Sequence, residues 1–497
     1  MRGLRIESPT RNNRRRFLQD AATIVGGAGF ATASGFFSTF RSFAQDPPSD
    51  CPAPLTGGTP FSPGQDTRPI VRRKGISTLT APELSLVQQA FSGLRNLPAT
   101  DKRAWILQAD IHALYCDQCD NTSVQIHGSW NFFPWHRAYL YYFERILGSL
   151  VGDLDGFRLP YWDWENIRTL PSPYATPAAS TNSLWDSNRR AALAQGGNLP
   201  TNDGSKARVA ILNAITDFAT FGGTAADAGA CENNPHNTVH VDVGFLNSPY
   251  LDMGNLGFAA RDPIFFAHHG NIDKLWSRWN GLSSGSHLPP PAYKNPTDAA
   301  FLDTRWSFYD ENQNVASIST VDVLDHEGNL RYTYEAPQFK AIQFLAEYEC
   351  RLFWRGPGPD PGPFLEVSEE VRTSVLAQVR QFNESHSIAL VLQGVEVPNK
   401  TSGNFDVFAV RGDRKTFLGT LSLLNETMRI KEAKPVTLVL DVTHAVGDLL
   451  AKSKPASIRV FRRRDQNPGE RPSAEEKAEA AAFVLKAKRA QIRVQSR

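Results

Sequence analysis

Seven of the eleven histidines in this 497-residue chain fall between positions 112 and 269, and they fall in two groups. His112, His127 and His136 stand in the segments HALYC and HGSWNFFPWHRAYLYYFE; His236, His240 and His269 stand in ENNPHNTVH and DPIFFAHHGNID. Three imidazoles with no thiolate or carboxylate among them suit copper, zinc or iron, and leave coordination positions open for a small ligand such as dioxygen. His236 and His240 are four residues apart, so on a helix both rings leave the same face one turn apart. Such a pair alone is weak evidence for a metal. A third histidine in DPIFFAHHGNID and a complete second set make the pattern specific, and two triads in one domain point to a binuclear centre.

Rigid elements must bring these rings together, and the apolar spacing supplies them. Residues 81–95 and 101–116 place apolar side chains three and four apart, with Asp101 as the expected N-cap, and His112 falls on the last turn of the second helix. A helix is expected over 132–150, with His136 near its start. Another is expected over 262–280, with Asp262 as cap and Pro263 at the first helical position. Residues 153–230 read as loop-rich, with helices near 186–195 and 204–219. After about residue 350 the register changes. Gly356–Pro363 is a stiff Pro/Gly segment. The runs 387–397, 404–411, 416–424, 435–443 and 457–463 alternate in the manner of strands. Ser473–Arg493 is expected to be a charged helix opened by a capping box.

The expected class is mainly α, a helical metal-binding core followed by a small C-terminal β-sandwich. The segments are a leader at 1–44, the core at 45–354, a linker at 355–366, the sandwich at 367–465 and a helical tail at 466–497. A formal charge of +2 asks for no nucleic-acid or membrane-surface partner. The leader is set apart from the fold. Asn13–Gln19 resembles a twin-arginine export signal, an apolar run follows from Ala21 to Phe37, and Ser42-Phe43-Ala44 suits cleavage. A membrane anchor or a plastid transit peptide is the alternative reading. No second apolar stretch of spanning length follows. Five cysteines, Cys51, Cys116, Cys119, Cys231 and Cys350, cannot all pair.

Two segments carry a family resemblance. His127-x4-Phe132-Phe133-Pro134-Trp135-His136-Arg137-x2-Leu140-x3-Glu144 and Asp262-Pro263-x-Phe265-Phe266-x2-His269-x3-Asp273 resemble the two signatures of the tyrosinase, catechol oxidase and hemocyanin superfamily. Phe308–Asn312, Leu330–Tyr334 and Asn404–Phe408 are similar to segments of plant-type polyphenol oxidases, so the likeness covers roughly residues 50–465. A bacterial-style export signal on such a chain is an unusual pairing.

The resemblance implies a four-helix bundle around two copper ions, one held by His112, His127 and His136, the other by His236, His240 and His269. The substrates implied are phenols and dioxygen. Asp273 is expected to orient a ligand from behind, and His268 to pack or hydrogen-bond rather than bind. Cys116 is expected to form a thioether with His127, Cys51 to pair with Cys119, and Cys231 and Cys350 either to pair or to stay reduced. Glu232 and Asn237 together resemble the water-holding pair of enzymes that act on monophenols. Leu256 stands at a substrate gate where plant enzymes have Phe. The β-sandwich resembles a latency domain that covers the copper entrance until cleaved near Gly356–Pro363. The implied activity is tyrosinase, with catechol oxidase as the alternative. An oxygen carrier and a zinc hydrolase are weaker readings. The implied destination is the periplasm or the exterior, with the thylakoid lumen as the alternative.

Overall fold

A computed structural model of the chain describes residues 51–496 apart from Gln65, 117–118, 120–124, 176–181, 202–205, 245–250, 282–294, 336–343, 356–361, 383–385, Lys400, 425–432, 452–454 and 464–482. The leader and most of the Pro/Gly segment thus lie outside the described residues. The helices are α1 (Ala81–Asn96), α2 (Trp105–Tyr115), α3 (Phe132–Leu150), α4 (Ser172–Ala175), α5 (Ala191–Ala194), α6 (Lys206–Asn213) and α7 (Phe218–Phe221). After a π-helical turn at Glu232–Asn237 come α8 (Thr238–Val243), α9 (Ile264–Trp279), α10 (Ala299–Leu302), α11 (Thr320–Leu324), α12 (Glu369–Phe382) and α13 (Val446–Leu449). Among the described residues no helix is long and apolar enough to cross a membrane.

Helices α1 and α3 match the apolar spacing closely. Thr80 and Glu83 close the reciprocal capping box that starts α1, satisfying amides the helix itself cannot. Helix α2 starts later than expected, because the Asp101 carboxylate is taken by the Arg103 amide and guanidinium. It therefore does not cap a helix. The helix expected at 186–195 shrinks to Ala191–Ala194, and the one at 204–219 splits into α6 and α7.

Helices α3 and α9 lie at the centre. Phe143 of α3 stacks on Phe266 of α9 with centroids 3.7 Å apart, a pairing worth about 0.5–1.5 kcal/mol beyond its buried area. Two turns further along α9, Asp273 accepts from Arg137 of α3 at 2.6 Å and from Arg73 at 3.2 Å. Tyr332 and Tyr334 also donate to it, at 2.5 and 2.7 Å. Two fully buried guanidiniums persist in a core only against fixed anions. Asp273 is thus a structural anchor. The expectation that it orients a metal ligand is corrected: among the described residues its donors are these arginines and tyrosines, not one of the six clustered histidines.

Five short strands brace the core: β1 (Thr59–Pro60), β2 (Val71–Arg72), β3 (Arg305–Tyr309), β4 (Val315–Ser319) and β5 (Tyr332–Thr333). Beyond them β6 (Phe344–Arg355), β7 (Gly362–Glu366), β8 (His386–Val395), β9 (Ser402–Arg411), β10 (Arg414–Leu424), β11 (Val436–Asp441), β12 (Ala456–Arg462) and β13 (Arg489–Ser496) follow the order β10-β9-β12-β7-β6-β13-β8-β11. The order is continuous because β6 pairs with β13 through its first half and with β7 through its second.

Two expectations are corrected here. The Pro/Gly segment joins β6 to β7 within one antiparallel pair, so it is not a linker between bodies. The end of the expected tail helix is strand β13, pairing with both β6 and β8; positions 473–482 of that helix lie outside the described residues. Strand β8 is buried on both faces. Ile388, Leu390 and Leu392 enter the strands' own core, while Ala389 and Val391 enter the helical core, as a two-residue period requires.

Candidate metal centre

His112 ends α2, His127 precedes α3, His136 lies in the first turns of α3, His236 sits in the π-helical turn, His240 in α8 and His269 in α9. The fold brings all six together. Ring centroids of the first group are 5.2, 5.2 and 5.4 Å apart; those of the second are 4.6, 4.9 and 5.7 Å apart. The triads meet where His136 and His269 stack at 4.2 Å. Phe132 and Phe265 pack against members of both groups. None of the six rings is more than 3 % exposed.

Four rings are aimed by backbone carbonyls. Nδ1 of His112 lies 3.0 Å from Gly257 O, that of His136 2.6 Å from Phe132 O, and that of His240 3.3 Å from Met253 O. His236 Nδ1 is shared by Glu232 O at 3.2 Å and Asn237 Oδ1 at 3.0 Å. A carbonyl only accepts, so Nδ1 carries the proton and Nε2 keeps its lone pair. Burial lowers the pKa of all six rings, that of His112 to about 4. They are therefore neutral at pH 7.

The residues fit a metal. Nε2 of His112 and of His136 face each other at 3.3 Å, two lone pairs that a cation reconciles. Nε2 of His127, His236 and His240 and both nitrogens of His269 are buried without a hydrogen-bond partner, a costly state unless they ligate something.

His268 lies 5.1–5.4 Å from the rings of the second group, so distance does not set it apart. Its hydrogen bond does. The Trp164 indole N–H donates to His268 Nδ1 at 3.1 Å, which places the ring proton on Nε2 and leaves no lone pair for a metal.

Around the triads, Cys116 Sγ lies 3.1 Å from His127 Nδ1. Cys51 and Cys119 form a disulfide; Cys231 and Cys350 do not pair with each other. Glu232 is buried, with Oε1 accepting from the Gly128 amide at 2.7 Å and Oε2 without a partner. Burial pushes its pKa up to about 8. Asn237 turns its Oδ1 to His236 and its Nδ2 to Ser422 O, 3.4 Å away. Leu256 is buried beside Gly257, which holds His112.

Reading the sequence missed three contributions to this site. The carbonyls of Gly257 and Met253 leave no mark in residue identity. Trp164, in the loop-rich stretch, has no motif, and Ser422 belongs to a strand distant in sequence.

Residues 102–195 and 174–282 match the common central domain of tyrosinase, and residues 295–343 match the polyphenol oxidase middle domain. Aureusidin synthase of Antirrhinum majus is 35% identical over 417 residues, covering 73% of this chain and 73% of that protein. The chain belongs to the tyrosinase family. The latent form of a chloroplastic polyphenol oxidase from Prunus armeniaca is 28% identical over 452 residues, 81% of this chain and 74% of that one. The structure of latent apple tyrosinase shares the fold, with a TM-score of 0.59 at 22% identity over 88% of this chain and 100% of that one. Members of the tyrosinase family are type 3 dicopper proteins, and the chain is an oxidoreductase of the polyphenol oxidase kind.

Proposed function

We propose that the protein hydroxylates monophenols at the ortho position and oxidises o-diphenols to o-quinones with dioxygen. In this reading α2, α3, α8 and α9 form the four-helix bundle. His112, His127 and His136 hold one copper, and His236, His240 and His269 hold the other. Copper supplies the redox chemistry and the activation of dioxygen. The protein's own residues bind, orient and move protons. Neutral imidazoles serve both copper oxidation states, and the carbonyls behind them fix the direction of each Nε2.

The observation that supports hydroxylation is Glu232: a buried carboxylate with one oxygen held by Gly128 and the other unpartnered. A monophenol must lose its hydroxyl proton to bind well, and the second oxygen accepts it directly or through one water. Burial lifts the pKa of Glu232 to about 8, so its ionised form is a stronger base than an exposed carboxylate, and the fraction able to accept a proton grows as pH rises toward that value. Asn237 is the candidate to hold that water.

The catechol-oxidase reading keeps one supporting observation. Both polar ends of Asn237 are engaged, by His236 and by Ser422, so it is not poised for water while β10 is in place.

Cys116, whose Sγ lies 3.1 Å from His127 Nδ1, would join a carbon of that ring by a thioether, the two hydrogens lost passing to dioxygen, and hold the ring rigid; mass spectrometry of the joined peptides tests it. Leu256 in place of a larger aromatic widens the entrance. The C-terminal strands cover the centre and make the protein latent. The leader sends the folded chain through twin-arginine transport, and the chloroplastic names of plant relatives favour the thylakoid lumen as its destination.

Oxygen uptake by the copper-loaded protein, before and after limited proteolysis, with tyramine and with 4-methylcatechol, tests the function. Uptake on both supports the tyrosinase reading. Uptake on the catechol alone overturns it in favour of catechol oxidase.

A further inference from the structure

The second triad rests on a polar seam between the helical core and the C-terminal strands. Within the π-helical turn the chain leaves helical geometry at Asn234 (φ −137°, ψ 120°), two residues before His236. The Asn234 side chain holds this kink from both ends. Its amide donates to Thr420 O, and its Oδ1 lies 2.9 Å from the Thr238 hydroxyl.

The Thr238 hydroxyl is also 2.8 Å from Ser422 Oγ; with Ser422 donating to Asn404 Oδ1 at 2.7 Å, the single Thr238 proton is shared between Asn234 Oδ1 and Ser422 Oγ. The Asn404 amide donates to Asp242 Oδ1 at 2.9 Å, and the other oxygen of Asp242 accepts from Thr201. The chain of bonds thus grips the backbone on both sides of His236 and His240. Every side chain along it is at most 4 % exposed. The hydrogen bonds of His112, His127 and His136, by contrast, go to Gly257, Cys116, Phe132 and one another. Among the described residues, none goes to the C-terminal strands.

The seam is polar, and that determines how it behaves. An apolar contact would bind the strands permanently, whereas hydroxyls and amides exchange their partners for water at small net cost when a strand lifts.

We propose that Ser422 and Asn404 are positioning residues for the second copper. With β10 seated, the seam locks the Asn234 kink and the start of α8, so that His236 and His240 converge. When β10 lifts, that copper is loosened while the first is untouched. The C-terminal strands are then part of the metal site, beyond covering it. This rests on His236, His240 and His269 being one copper's ligands.

The test uses copper-loaded full-length protein as parent, Ser422→Ala and Ser422→Thr. Thr416→Ala is the control, since Thr416 bonds Asp448, 2.8 Å away, from the same strand. Copper passing to a chelator is counted per chain over time, beside thermal unfolding. Losing a buried hydrogen bond predicts that Ser422→Ala releases one of its two coppers about tenfold faster. The other copper should leave at the parental rate, and Ser422→Thr and Thr416→Ala should match the parent. Two coppers leaving at parental rates, or both accelerating together with a lowered unfolding midpoint, would overturn the proposal. A parent holding fewer than two coppers overturns the ligand assignment itself, and the proposal with it.

Discussion

Glu232 and Asp273 are both buried carboxylates, yet their surroundings push them in opposite directions. Glu232 has a single amide donor and is raised to about 8 by burial. Asp273 is held by Arg137, Arg73 and two tyrosines and falls to about 2. Their expected behaviour separates accordingly. Glu232→Gln keeps the shape and the Gly128 contact but removes the base, so monophenol hydroxylation should fall about 10²- to 10⁴-fold. Oxidation of 4-methylcatechol should stay near the parental rate, and initial rates on the two substrates check this. Asp273→Asn leaves the buried Arg137 guanidinium without its carboxylate, while Arg73 keeps Glu144 at 2.8 Å, and should cost about 3–5 kcal/mol at neutral pH. The sign with pH follows from the depressed value: Asp273 contributes stability above about pH 4, and the contribution disappears as pH falls toward 2. Denaturant midpoints of parent and variant should therefore converge over that interval. A constant gap would contradict the assignment.

Among the elements, the legible ones have a single dominant environment. Helix α3 appears at its expected bounds because its apolar residues repeat at helical spacing around buried neighbours. The five strands read from alternation are present within about two residues at most ends. Strands β6, β7 and β13 escaped notice. Glu347, Glu349, Arg489 and Arg493 sit among their apolar residues and pair across β6 and β13, so their charge resembled that of an exposed helix. The loop between α2 and α3 is tied to the N-terminal segment by Cys51–Cys119, which encloses 68 residues of sequence separation. Closing a loop of that length stabilises by about 4 kcal/mol on the chain-entropy account. Cys51→Ser should lower the unfolding free energy by that order, as read from denaturant titration. A change near zero would mean that packing alone holds the loop.

At the scale of the whole molecule, the strands dock through β8, where every second side chain belongs to the helical core, and through the seam around Ser422. The seam lies against the segment that carries His236 and His240. Limited proteolysis that detaches the strands should raise the initial oxygen uptake on 4-methylcatechol, because the rings are buried in the intact chain, and that uptake should then decay faster under chelator than in the intact chain as the second copper leaves. The ratio of hydroxylation to oxidation should rise too, since Asn237 recovers its amide from Ser422 O. Uptake unchanged by cleavage would remove latency from the account. Copper should also stabilise the native state by mass action, by about 4 kcal/mol at a thousandfold excess over its dissociation constant. Thermal unfolding with and without chelator measures it.

The sequence by itself determined which residues could bind metal and which helices carry them, because imidazole count and helical period are local properties of the chain. It also marked Cys116 as the neighbour of His127 through a likeness to chains of known pattern, and offered Cys51 as the partner of Cys119 where Ala113 departs from that pattern. Only the tertiary structure decided the rest. It converged the six rings, and it showed Asp273 tied to arginines rather than to a ligand. It placed the Trp164 indole on His268 and set carbonyls behind four histidines. It also laid Ser422 against the turn that holds His236. Most of these are contacts between residues far apart in the chain, and several, including the carbonyls four residues before His136 and His236, involve a backbone atom that every amino acid shares, so residue type leaves no trace of them.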